Sequence, residues 1–310
     1  MMERRNFIKK TAATGIALSG IAATFGAAAS GTVSSNDAQF KLKYAPSLGN
    51  FPEHAGKDPI DNIKFIADQG FRAVFDNGLM NKPPELQEKI ANELDRRGMD
   101  LGPFVLYADF SKKSFVLQDP DIRDMLKKKM QDALEVQKRT GVKNALVVPG
   151  RYDEKLHWDY QTANVIENMR MCCDIVGKTG LELVMEPLNA HTDHPGLFLT
   201  GMPQAKMICV AVNHPSCKIV DDMYHQQITE GNLIPNIDMC WDYISAFHIG
   251  DNPGRKEPTT GEINYKNIFK HIYKKGYQGV LCCEHGKSKS GKEGETAFIE
   301  AYREVDSFEV

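Results

Sequence analysis

Four short apolar stretches in the second half of the chain each end on a side chain that can hold a metal ion or move a proton. Val184-Met185 runs into Glu186, Val220-Asp221 into Asp222, Ala246-Phe247 into His248, and Cys282-Cys283 into Glu284. Three carboxylates gathered without a counter-charge repel one another and lose hydration, so such a cluster asks for a cation. A divalent ion with one neutral imidazole leaves a single negative charge. Hard oxygens plus one nitrogen suit Mn²⁺, Mg²⁺ or Co²⁺ better than a thiolate-preferring ion. Open coordination positions would then take adjacent oxygens of a polyol or hydroxy-carbonyl substrate. Three of them alone have plainer explanations: Glu186 as a strand-end residue paired with Arg or Lys, Asp222 as a helix N-cap, His248 as a core histidine; Glu284, after an apolar run, has few. The four together, at the same place in successive stretches, favour the metal.

The elements that must position them repeat along the chain. Apolar, β-branched runs occur at Phe40–Pro46, Phe71–Asp76, Leu101–Tyr107, Asn144–Pro149, Leu181–Pro187, Cys217–Asp222, Ile244–Asp251 and Gly279–His285. They start roughly every 34 residues, the span of a strand, a helix and a return loop. Between them lie segments with helical spacing, such as Pro59–Gln69, Glu85–Arg97 and the long Asp119–Thr140, which is followed by Gly141 as C-cap chemistry favours. Eight such units predict an α/β fold, a single-domain (β/α)₈ TIM barrel over residues 39–310. A doubly wound nucleotide-binding sheet would need a glycine-rich turn after its first strand, and Ser47-Leu48-Gly49-Asn50-Phe51 does not supply one. No organic cofactor is expected. In a barrel, residues at the C-terminal strand ends share one rim, where chemistry collects. Asp221, next to Asp222, should point the other way. Lys127-Lys128-Lys129 reads as a solvated helix face, and Lys287–Lys292 as a mobile loop able to cover the rim.

The 310 residues carry 38 Lys+Arg against 41 Asp+Glu, a formal charge of −3. That sum hides an asymmetry. Met1–Ala29 holds Arg4, Arg5, Lys9 and Lys10 against Glu3, and the remainder of the chain is correspondingly more acidic. An acidic body argues against nucleic acid as a partner. Arg4-Arg5-Asn6-Phe7-Ile8-Lys9, the small and apolar run Thr11–Ala28 and Ala27-Ala28-Ala29 resemble a Tat-type leader over residues 1–29. Residues 30–38 read as a flexible linker. The resemblance implies export to the periplasm and no stable membrane insertion after cleavage; without a working leader the protein would be cytoplasmic. Seven cysteines, two pairs of them adjacent and none in a CxxC spacing, signal neither a zinc ribbon nor a disulfide scaffold.

Several blocks carry a second resemblance. Met185-Glu186-Pro187-Leu188-Asn189 with Asp193-His194-Pro195-Gly196-Leu197-Phe198-Leu199, Asp222-Met223-Tyr224-His225-Gln226-Gln227, and Asp251-Asn252-Pro253-Gly254-Arg255 with Thr260-Gly261-Glu262-Ile263-Asn264-Tyr265 resemble the hydroxypyruvate isomerase family. That family lies among the xylose-isomerase-like TIM barrels, beside the ketose 3-epimerases. The resemblance implies Glu186, Asp222, His248 and Glu284 as divalent-metal ligands. It also implies Glu186 and Glu284 as the acid and base of a metal-dependent isomerase working through a cis-enediolate. His225, Arg255 and Asn189 would bind a small sugar or hydroxy-carbonyl substrate. An alternative partner for Arg255 is Glu257. His248 stands where hydroxypyruvate isomerases can carry Gln and ketose 3-epimerases carry His, so 3-epimerisation is the alternative activity. A metallo-endonuclease and a non-catalytic carbohydrate-binding protein on the same fold are further rivals. Barrels of this family often pair, so a homodimer or higher homo-oligomer is expected.

Overall fold

The computed structural model describes residues 39–310. The expected leader and linker lie outside the described residues. Nine strands follow in chain order: β1 Lys43–Pro46, β2 Ala73–Val74, β3 Asp100–Leu101, β4 Phe104–Tyr107, β5 Asn144–Val147, β6 Glu182–Met185, β7 Cys217–Asp222, β8 Ile244–Ile249 and β9 Val280–Cys283. All pair in parallel, in the order β1-β9-β8-β7-β6-β5-β4, with β2 beside β3. The remaining gap is bridged at Ser47 and Phe75: Phe75 donates its N–H to Pro46 O at 3.1 Å, and Leu48 donates to Phe75 O at 3.1 Å. On the other side Gly102 N donates to Val74 O at 2.8 Å. The strands therefore occupy eight positions of a (β/α)₈ barrel.

The expected third strand, Leu101–Tyr107, is two pieces. Gly102-Pro103 interrupts it, because proline brings no N–H to the ladder. A side chain on Gly102 would also have no room: a Cβ there meets Phe75 Cβ at 2.9 Å and Cys282 Sγ at 3.0 Å.

Helices lie between the strands, as their spacing requires. Asp119 caps Pro120–Thr140 by accepting from Asp121 N at 2.8 Å and Ile122 N at 3.3 Å, and Gly141 ends it with φ 68°. That helix buries Leu126, Met130, Ala133 and Val136 and leaves Lys127 and Lys128 in solvent, paired with Asp124 and Asp132. Alternation along the strands divides the core in two. Ala45, Phe75, Leu146, Val184, Val220, Ala246, Val280 and Cys282 form one cluster, the barrel interior. Tyr44, Leu183, Met185, Ile219, Phe247 and Leu281 join the layer beneath the helices. All seven cysteines are free and buried.

Candidate metal centre

The same alternation builds the rim. Glu186, Asp222, His248 and Glu284 each follow an interior residue by two positions: Val184, Val220, Ala246 and Cys282. Period two carries all four inward, and Asp222 and His248 are register partners across β7 and β8. One donor atom from each of the four lies within 4.8 Å of the others. His248 Nδ1 is 3.0 Å from Glu186 Oε1, 3.1 Å from Glu284 Oε2 and 4.0 Å from Asp222 Oδ2. Three carboxylates and an imidazole at these separations fit the coordination sphere of a hard divalent ion.

Asp222 caps a helix and still faces the cluster. Its Oδ1 caps the helix Met223–Thr229, accepting from Tyr224 N at 2.9 Å and His225 N at 3.2 Å, while Oδ2 faces the centre. Asp221 alternates outward and is buried, with Oδ1 unpartnered. Burial first, then Asp222 and Glu230, push its carboxyl up to about 8.

The electrostatics of the cage are uneven. Burial raises Glu186 above the usual carboxylate range against the pull of His248, with Glu284 and Asp222 adding to the rise. Burial acts upward on Glu284 as well, but His248 and Arg255 outweigh it and hold Glu284 well below that range. Burial alone would draw His248 down, yet Glu284 and Glu186 hold it well above its ordinary value.

Arg255 is the fifth charge. Its Nη2 lies 2.9 Å from Asp222 Oδ2 and 2.6 Å from Glu284 Oε2, and its guanidinium sits 4.9 Å over the Tyr224 ring. Glu257, its alternative partner, instead accepts from Ser288 N at 2.9 Å and from the Ser288 hydroxyl. Arg255 has φ 50°, a left-handed conformation that costs a non-glycine residue about 1–3 kcal/mol. Its N–H donates to Asp251 O and its O accepts from Gly286 N, both at 2.9 Å. Asp251, buried, accepts from Asn252, Gly261 and Ile263 N–H groups and so fixes the loop.

His225 is buried, with Nε2 3.6 Å from Asp222 Oδ2 and without a hydrogen-bond partner. Asn189, expected to bind substrate, is fully buried with its amide engaged inside the protein, including 2.7 Å to His225 Nδ1. The expected covering loop at Lys287–Lys292 is tied down. Lys287 Nζ donates to Asn50 O at 2.7 Å, and the last helix begins at Gly291.

Asn77 escaped the sequence reading. It follows β2 on the same rim and donates to Glu284 Oε1 at 2.6 Å. The strand-end rule that singled out the glutamates reaches Asn77 too, but a neutral amide carries no charge to draw attention. It lines a cavity of about 410 Å³ at the mouth, together with Ser47, Asn50, Phe75, Arg255 and Glu284.

Fold and site together define a parallel barrel with an acidic, metal-competent rim. A family model described as Xylose isomerase-like TIM barrel matches residues 63–305, and the chain belongs to that family. Hydroxypyruvate isomerase from Escherichia coli is 37% identical over 154 residues, half of this chain and 57% of that protein. The chain spans about half the length of the first curated relatives it matches. The 2-oxo-tetronate isomerase of Pectobacterium atrosepticum is 28% identical over 75% of this chain and 89% of its own length. Among solved structures, an AP endonuclease of family 2 from Brucella melitensis superposes with a TM-score of 0.71 at 23% identity, covering 84% of this chain and 98% of that one. D-psicose 3-epimerase from Clostridium cellulolyticum H10 gives 0.66 at 18% identity, covering 86% and 96%. These two likenesses concern the fold.

Proposed function

We propose that the protein is a divalent-metal-dependent isomerase that interconverts the aldehyde and ketone forms of a small hydroxy-carbonyl compound or sugar. The observation that carries this is the convergence of Glu186, Asp222, His248 and Glu284 within 4.8 Å. The isomerase relatives support the reaction class. A divalent ion held by the four, with Mn²⁺, Mg²⁺ or Co²⁺ matching the donors, would polarise the substrate carbonyl and stabilise charge developing on its oxygen.

The protein's own groups do the rest. One of Glu186 and Glu284 takes the proton from the carbinol carbon beside the carbonyl, leaving a cis-enediolate. Return of a proton to the neighbouring carbon, with the hydroxyl proton passing between the two oxygens, completes the isomerisation. The other glutamate faces the opposite side of the substrate. Arg255 and His225 offer N–H groups to substrate oxygens. Export through a leader over residues 1–29 and assembly as a homo-oligomer belong to the same proposal and rest on the sequence alone.

A second reading, 3-epimerisation of a ketose, is favoured by one residue: His248 stands where ketose 3-epimerases carry histidine. Here the proton returns to the opposite face of the carbon it left, delivered by the second glutamate. Both readings are tested by NMR in D₂O, with metal-loaded protein and a panel of hydroxypyruvate, tetroses, pentoses and ketohexoses. Deuterium entering the carbon next to the carbonyl is expected, and the product formed separates the two reactions. Binding without deuterium incorporation would instead support a non-catalytic carbohydrate-binding protein and overturn the proposal.

A further inference from the structure

The hydrogen bonds around Asn189 decide where His225 keeps its proton. Asn189 Oδ1 accepts from Thr192 N at 3.0 Å, Thr192 Oγ1 at 2.9 Å and Asp193 N at 3.2 Å. Two of these donors are backbone N–H groups, which can only donate, so the amide has one permitted orientation. Its Nδ2 must therefore face the other way. There it donates to Asp193 Oδ2 at 2.8 Å and to His225 Nδ1 at 2.7 Å. The Asn189 backbone N–H also points at Nδ1, at 3.4 Å. Donors converging on Nδ1 require a lone pair there, so the ring carries its proton on Nε2. That Nε2 is buried, has no hydrogen-bond partner, and lies 3.6 Å from Asp222 Oδ2, the oxygen that also faces His248.

We infer that Asn189 is a positioning residue that locks His225 in the Nε2–H tautomer, so that one unpaired N–H is aimed at a substrate oxygen on which negative charge develops. This rests on the isomerase reading for its catalytic consequence, but not for the lock itself. The device extends outward. Asp193, which orients the Asn189 amide, also interacts with the Tyr224 hydroxyl, and Tyr224 carries the Arg255 guanidinium on its ring. The turn Asn189–Asp193 thus connects, directly and through Tyr224, to the two N–H donors that approach Asp222 Oδ2, His225 at 3.6 Å and Arg255 at 2.9 Å.

The substitution Asn189→Asp tests the lock. One carboxylate oxygen can still accept from Thr192 and Asp193 N–H, but the other presents an acceptor to His225 Nδ1 in place of a donor. The proton is then drawn to Nδ1. Long-range ¹H–¹⁵N correlation spectra of ¹⁵N-histidine-labelled protein, with His225 assigned by its loss in H225Q, report the tautomer with or without substrate. The wild type is expected to show Nε2 protonated and Nδ1 bare, and N189D to show a protonated Nδ1. N189D/D193N, which removes the charge repulsion between neighbouring carboxylates, serves should N189D fold poorly, and is expected to show the same switch. On a substrate that the wild type turns over, the switch should lower kcat by about 10²-fold, the scale of one lost oxyanion donor, with KM changed by less than about threefold. A wild-type ring protonated on Nδ1, or a variant ring that keeps the wild-type tautomer, would overturn the lock. A switched tautomer with unchanged kcat would overturn its catalytic purpose. Absence of turnover on every substrate, with the tautomer as expected, would sink the isomerase reading and the catalytic purpose together while leaving the lock standing.

Discussion

At the scale of single residues, the rim is a problem of charge. Glu186, Asp222 and Glu284 converge, and among the described residues His248 and Arg255 oppose them. The two glutamates are held apart in proton affinity, Glu186 above and Glu284 below the usual carboxylate range. Glu186→Gln and Glu284→Gln should each lower turnover by at least about 10²-fold, the usual worth of a general acid or base. Normal turnover in a variant, with metal still bound, would remove that glutamate from the reaction. Arg255 has a second duty, since its guanidinium bridges Asp222 and Glu284. Arg255→Met should destabilise the chelator-treated protein by about 1.5–3 kcal/mol, the range for hydrogen bonds to charged groups. The loaded protein should lose less, because an ion then supplies the positive charge. Chemical denaturation in both states measures the difference; equal losses would mean the guanidinium contributes only packing.

At the scale of elements, the residues that converge at the rim were legible because the strands obey period two. An apolar residue, an outward neighbour and a polar residue at the strand end recur in Val184-Met185-Glu186 and Ala246-Phe247-His248, and the pattern needs no alignment to be seen. The break in the third strand was less legible. Leu101–Tyr107 reads as one apolar run, and only the tertiary neighbours of Gly102 explain why the chain is bare there. Gly102→Ala should therefore cost about 1–3 kcal/mol by overpacking against Phe75 and Cys282, which line the barrel next to His248. A variant as stable as the parent would mean that the interior yields more readily than its close contacts imply. Asn189 and His225 were legible as residues but not in their relation. Their pairing depends on the turn Asn189–Asp193 folding back on itself, which spacing alone does not encode. At the end of the chain, Asp306 ties the last helix to the start of the barrel. It accepts from Lys41 N at 2.9 Å and from the buried Tyr44 hydroxyl at 3.0 Å. Burial raises its carboxyl against those bonds. A carboxyl raised on folding loses stabilising effect as pH climbs above its unfolded value, so this tie is strongest in mild acid. Asp306→Ala, which strands the Tyr44 hydroxyl, should cost about 1–3 kcal/mol at neutral pH and more near pH 4.

At the scale of the whole molecule, composition spoke mainly by exclusion. A net charge of −3 concentrated as an acidic excess in the body argued against nucleic acid, but the same excess has a positive meaning at the rim. Carboxylates collected at the C-terminal strand ends would let the folded protein hold a cation, whereas the unfolded chain disperses them. An ion that binds the native cage and not the unfolded chain stabilises the fold by about 2.7 kcal/mol at a hundred times its dissociation constant. Removing divalent ions with a chelator should lower the thermal midpoint, and adding back Mn²⁺, Mg²⁺ or Co²⁺ should restore it in a concentration-dependent way. Asp222→Asn makes the experiment specific to the cage. Asparagine is as good an N-cap as aspartate, so the helix Met223–Thr229 keeps its start, while the charge facing the centre is lost. The variant should keep a midpoint near that of the chelated parent and lose most of its response to added ion. A parent indifferent to chelator and ion alike would leave Arg255 and His248 to offset the cage's charge, and the metal-dependent reading would fall with it.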